Sequence, residues 1–122
     1  MTKGTISLFV VLLPMLGLAC GCHSYQIDTT VVNRTGDAVT LLEVDYPSAS
    51  FGVDKLASGA DFNYRFKVRD KGPMKVQYTE SKTLQKRQIT GPELTEGQEG
   101  RLEIVLLPAG KVDFLPELHP EH

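Results

Sequence analysis

Residues 20–23 read Cys20-Gly21-Cys22-His23, and two further histidines, His119 and His122, stand near the end of the sequence. These are the side chains whose types suit covalent, redox or metal chemistry. Thiolate and imidazole together bind zinc, but a structural zinc site takes four ligands and the chain holds no third cysteine. A disulfide between residues this close in sequence would be a strained local loop. His119, Glu121 and His122 offer donors that suit copper, nickel or zinc. They lie on "PELHPEH" (116–122), which has two prolines and no apolar periodicity. That stretch reads as a flexible tail, and ligands on such a tail make only a weak, unselective site. Nucleophilic catalysis needs a base held in place, and no histidine falls within a strand-like segment. The glycines of "GPELTEGQEG" (91–100) lack the strand-to-helix setting and the lysine of a phosphate loop. The expectation is no enzyme, no cofactor and no resident metal.

The elements around the cysteines explain them better. Lys3 supplies a short positive segment, and "ISLFVVLLPMLGL" (6–18) follows without a charge. Its length, about 13 residues or roughly 20 Å as a helix, is too short for a hydrocarbon core of about 30 Å, and Pro14 interrupts it. Length and flanks match the apolar core of a signal peptide. The stretch "LGLACGC" (16–22) resembles the bacterial lipoprotein signal, in which small and aliphatic residues precede a cysteine that is lipidated and becomes the new N-terminus. Two registers fit, one ending on Cys20 and the other on Cys22. The resemblance implies a signal peptide over residues 1–19, a lipidated tether over 20–24 and attachment to a membrane through the N-terminal lipid. The residue after the modified cysteine would be Gly21 or His23. Neither is aspartate, which implies the outer membrane, facing the periplasm. Simple secretion, with Gly17 and Ala19 read by a signal peptidase, and an uncleaved anchor stand as alternatives.

Beyond the first segment the composition is that of one small globular domain. The chain of 122 residues is 41% hydrophobic and 23% charged, and a domain of about 100 residues buries roughly two-thirds of its unfolded surface. The net charge is −2, with all 15 acidic residues beyond residue 20. That mild acidity gives no global attraction to nucleic acid.

From residue 25 the hydropathy alternates with period two, the mark of half-buried strands. In "DFNYRFKVR" (61–69), Phe62, Tyr64, Phe66 and Val68 share one side and Asn63, Arg65, Lys67 and Arg69 the other. Strands are predicted over 25–33, 38–46, 61–69, 74–79, 83–90, 100–107 and 111–115, with a short one at "SFGVD" (50–54). The segment 83–90 is polar enough to be an edge, and Pro108-Ala109-Gly110 reads as a hairpin connection. Turn residues recur every 8–12 positions. The predicted architecture is all-β: a single antiparallel β-sandwich of immunoglobulin-like kind over residues 25–115, with about seven strands. The stretches "NRTGDAVTLLEVDYPSASFG" and "EGQEGRLEIVLLPAGKVDF" are similar to short exported β-sandwich proteins of Gram-negative bacteria, which adds to the fold expectation and implies no activity.

Two surface features invite a partner. Phe51, between turn residues in "PSASFG", reads as an aromatic on a loop tip. Between Arg65 and Arg87 there are eight basic residues against two acids. If Arg65, Lys67 and Arg69 share a face with Lys75 or Lys86, that face could meet an acidic envelope polymer or an acidic envelope protein. The competing use of these charges is cross-strand pairing and edge protection. The sequence therefore points to a lipid-anchored cell-envelope protein with a binding or structural role. A metal-handling protein working through the histidine tail, or an accessory subunit docking by a strand edge near 83–90, are the other classes it admits.

Overall fold

The computed structural model describes residues 25–120, so Cys20, Cys22, His23 and His122 lie outside the described residues, as do the predicted signal peptide and tether. Eight strands follow in order: β1 (Ile27–Asn33), β2 (Val39–Tyr46), β3 (Ala49–Leu56), β4 (Asp61–Phe66), β5 (Gly72–Glu80), β6 (Lys86–Leu94), β7 (Glu99–Leu106) and β8 (Val112–His119). They form two four-stranded sheets. Sheet A has the order β4-β1-β7-β8 and sheet B the order β3-β2-β5-β6.

The alternating residues do what their period requires. Ile27 and Val31 of β1, Leu102, Ile104 and Leu106 of β7, and Val39, Val44, Met74 and Val76 of sheet B are fully or almost fully buried between the sheets. Burying each such side chain contributes about 1.5–3 kcal/mol. Rings close one open side of the sandwich, where β3 passes β4. Phe51 stacks on Tyr64 at 4.3 Å, and nearby Tyr46 stacks on Phe66 at 4.0 Å. On the other side β6 approaches β8, and Gly91 leaves the room that Phe114 fills. A β-carbon there would come within 2.6 Å of the ring.

Several expectations change. Sheet B is antiparallel throughout, but sheet A is mixed, because β1 and β7 run parallel, Ile27 opposite Gly100 through Asn33 opposite Leu106. The short strand expected at 50–54 is a full eight-residue strand. It is disguised by Gly52, which faces the carbonyl of Leu42 too closely for any side chain. The crowding arises at a bulge in β2 between Thr40 and Glu43, where Leu41 adopts φ 51°. The expected flexible tail is corrected too: β8 continues to His119, with Leu102 opposite Pro116 and Glu99 opposite His119. A proline is tolerated there because β8 is an edge strand and needs no hydrogen bond on its open side. The edge strand predicted at 83–90 is β6, an edge of sheet B, displaced to Lys86–Leu94 because residues 81–85 form the turn. Phe51 is not on a loop tip. It sits inside β3 with 7% of its surface exposed, since alternation in β3 turns it inward against Tyr64 and Phe66.

Candidate functional site

The outer face of sheet A carries the most organised set of polar side chains. The outward positions of its four strands line up in rows across the sheet. One row reads Arg65, Asp28, Arg101, Glu117 from β4 through β1 and β7 to β8. The next reads Asn63, Thr30, Glu103, Leu115, and the third Asp61, Val32, Val105, Asp113. Charges therefore alternate in sign along the first row. Arg65 Nε donates to Asp28 Oδ1 at 2.5 Å, and Thr30 Oγ1 donates to Asn63 Oδ1 at 2.7 Å. Arg101 stands between two carboxylates in register but forms an ion pair with neither among the described residues. A groove of about 670 Å³ opens over β1, β7 and β8, lined by Asp28, Thr30, Arg101, Glu103, Leu115 and Glu117. A smaller hollow of about 420 Å³ adjoins it, sharing Asp28 and Thr30 and reaching Arg65. Leu115 is half exposed at the groove. The face offers hydrogen bonds and paired charges but, among the described residues, no outward aromatic platform, because Phe62, Phe66 and Phe114 turn toward the core.

The basic residues singled out from sequence are separated by the fold. Arg65 belongs to the outer face of sheet A and is paired with Asp28. Lys75 and Lys86 project from β5 and β6, in the other sheet, so the single basic face expected from Arg65, Lys67, Arg69 and these lysines does not form. Strand β4 ends at Phe66, leaving Lys67 and Arg69 in the connection to β5. Both are exposed, while Val68 between them is buried. Neither forms an ion pair among the described residues, whereas Lys71 lies 3.9 Å from Glu93. This connection sits at the end of the sandwich where β1 begins. There Ile27 pairs with Phe66, Gly97 N–H donates to Val68 O and Gly100 N–H donates to Gln26 O.

His119 is held at the end of β8, its Nδ1 3.7 Å from Glu99 Oε2. No group of three or more potential metal ligands occurs among the described residues. The second histidine of the expected tail site, His122, lies outside them. At the opposite end, Glu80 accepts from Thr83 Oγ1 at 2.8 Å and from Arg87 Nε at 3.0 Å. The hydroxyl and the guanidinium hold its carboxyl below the ordinary value. On sheet B, Glu43 shares a hydrogen bond with the neighbouring Asp45 carboxyl, and bond and repulsion together push Glu43 up. Burial raises the hydroxyls of Tyr46 and Tyr78.

No family model and no curated protein matches the chain. Among solved structures, an NMR structure of a protein from Eubacterium rectale is similar, with a TM-score of 0.55 and 17% identity over 80% of this chain and 95% of that one. At that identity the likeness speaks for the fold alone. The chain is an all-β protein of two packed sheets. Sequence reasoning missed the row on sheet A. Alternation alone turns Asp28 and Arg101 outward, but their adjacency depends on β1 pairing with a strand more than 60 residues away, and no local signal encodes that register.

Proposed function

We propose that this is a lipid-anchored protein of the bacterial cell envelope that works by binding and not by catalysis. Its sandwich belongs, on this reading, to the immunoglobulin-like class. The observation that carries the proposal is the uncharged apolar run ending in Leu16-Gly17-Leu18-Ala19-Cys20-Gly21-Cys22, a few residues ahead of a domain whose first strand starts at Ile27. Cys20, or Cys22 in the alternative register, carries the lipid. Stable attachment takes more than one acyl chain, as a diacylated cysteine with an acylated amino group provides. The outer membrane, facing the periplasm, is the assigned location.

The binding role is supported by what the surface offers: a grooved sheet face with hydrogen-bonding side chains, and two exposed cations, Lys67 and Arg69, beside the point where the chain enters the domain. Those cations are the groups offered to an acidic envelope polymer or protein. The mass of the N-terminal peptide of the protein isolated from membranes tests the anchor. A triacylated peptide starting at Cys20 or Cys22 is the expected result. An unmodified N-terminus in a soluble fraction would overturn it.

A further inference from the structure

The row Arg65, Asp28, Arg101, Glu117 has a property that an alternating row of four always has: reversed end to end, every position meets its opposite charge. We propose that the outer face of sheet A is a docking surface for a second copy of this chain, related by a two-fold axis that runs along the strands. Under that operation the strand order reverses while the strand direction is kept. Arg65 of one copy then faces Glu117 of the other, and Asp28 faces Arg101, twice each. In the second row Thr30 faces Glu103, and Asn63 covers the half-exposed Leu115. In the third row Val32 lies opposite Val105, but both are already buried within one copy and add little contact. Asp61 facing Asp113 is the one like-charged combination, also occurring twice, at the corners, where the twist of the two sheets carries them apart.

The other face-to-face two-fold, lying across the strands along the row, is disfavoured by the same residues. It sets each strand on its own counterpart: with the axis on the first row Arg65 meets Arg65, Asp28 meets Asp28 and Arg101 meets Arg101, and with the axis on the second row Glu103 meets Glu103 and Glu117 meets Asp113. Directly opposed like charges are destabilising. The observation that calls for an external partner is Arg101. It has a carboxylate on each flank in register and pairs with neither, and the groove beside it is bordered by Glu103 and Glu117, which also form no ion pair among the described residues.

The chosen axis also keeps both N-terminal ends on the same side of the dimer. On the lipid-anchor reading, and only for this point does the inference rest on it, both anchors then reach one membrane. The opposed face is small, about 400 Å² per copy from four strands spaced roughly 4.8 Å apart, about half that of a standard interface. Association in solution is therefore weak, and it strengthens where two copies are confined to one surface.

Charge reversal in complementary pairs is the test. The full chain is compared with Arg101→Glu and Asp28→Lys by sedimentation equilibrium, at concentrations up to about 1 mM and at low salt, where weak charge-paired association registers. The wild type self-associates and each variant alone associates at least tenfold more weakly. An equimolar mixture of the two recovers association, because the lysine introduced at position 28 of one copy meets the glutamate introduced at position 101 of the other. Unchanged circular dichroism confirms that the variants are folded, and a folded Glu117→Lys variant serves as a second probe of the same face, expected to weaken association because it sets a lysine against Arg65 of the other copy. Wild-type protein that stays monomeric, an Arg101→Glu variant that associates like wild type, or a mixture that stays monomeric overturns the proposal. The measurement needs no lipid, so an unmodified N-terminus would defeat the anchor reading and leave this result standing on its own.

Discussion

The Asn33 carboxamide is fully buried and uses both its ends. Its Nδ2 donates to Asp37 O at 2.7 Å and Leu56 O at 2.9 Å, and its Oδ1 accepts from the Thr35 N–H at 3.0 Å and the Thr35 hydroxyl at 2.7 Å. One side chain thereby fixes the β1–β2 turn and ties it to the start of the β3–β4 turn, where Gly59 N–H donates to Asn33 O. A polar group in this position is stabilising only while all its partners are present. Replacing it by alanine removes the bonds and takes a donor from the buried Leu56 carbonyl, while Asp37 O keeps the Thr35 hydroxyl, so Asn33→Ala should lower the unfolding free energy by about 2–4 kcal/mol. Urea denaturation followed by circular dichroism measures this. A loss under about 1 kcal/mol would mean that water replaces the amide without cost.

The β5–β6 hairpin is held to its neighbours by the same kind of local chemistry, and there it depends on pH. Asp37 accepts from the Lys82 N–H at 2.9 Å, Glu80 binds Thr83 and Arg87, and the Arg87 guanidinium lies where a β-carbon on Gly110 would have to be. Because the Thr83 hydroxyl and Arg87 lower the Glu80 carboxyl in the folded state, its contribution is fully present above the unfolded carboxylate value. It is lost as pH falls through the lowered one. The thermal midpoint of the wild type should therefore exceed that of Glu80→Gln at about pH 7, with the gap closing toward about pH 3. A gap that stays constant over that range would remove the carboxylate from the account. Glu43 has the opposite sign, since its raised value favours the folded state as acid is added. Element by element, legibility followed locality. The alternation in 61–69 and 100–107 marked β4 and β7 and their buried sides. Gly52 and Asp54 hid β3, because both are poor strand formers and Gly52 is there for a close approach rather than for propensity. Pro116 hid the end of β8, although an edge strand accommodates a proline. The row on sheet A was illegible for a different reason: its members come from four strands whose order no single segment specifies.

The two ends of the sandwich differ, and the strand directions assign them. The end at which β1 begins also carries residues 67–71, the β2–β3 turn beside Tyr46 and the last residues of β8. The far end carries Asn33, the β5–β6 turn with Lys82, and Lys111. Eight residues of strand separate the ends by about 26 Å. Five peptide steps from Cys20 to Tyr25 span at most about 18 Å. If the lipid is at Cys20, the near end cannot move far from the headgroups while the far end stands well clear of them; a lipid at Cys22 tightens the constraint. Amine labelling of the protein in intact membranes and after detergent extraction should separate the two sets of lysines. Lys67 and Lys71 should be modified several-fold more slowly in membranes than in detergent, while Lys82 and Lys111 react alike in both. The comparison is internal to each residue, so the 3.9 Å approach of Lys71 to Glu93 cancels between the two conditions. Equal rates for all four lysines would place the domain free of the surface and remove the bilayer as a neighbour of Lys67 and Arg69. Protection of Lys82 in place of Lys67 would mean that the sandwich lies with its far end down, which a tether this short does not permit.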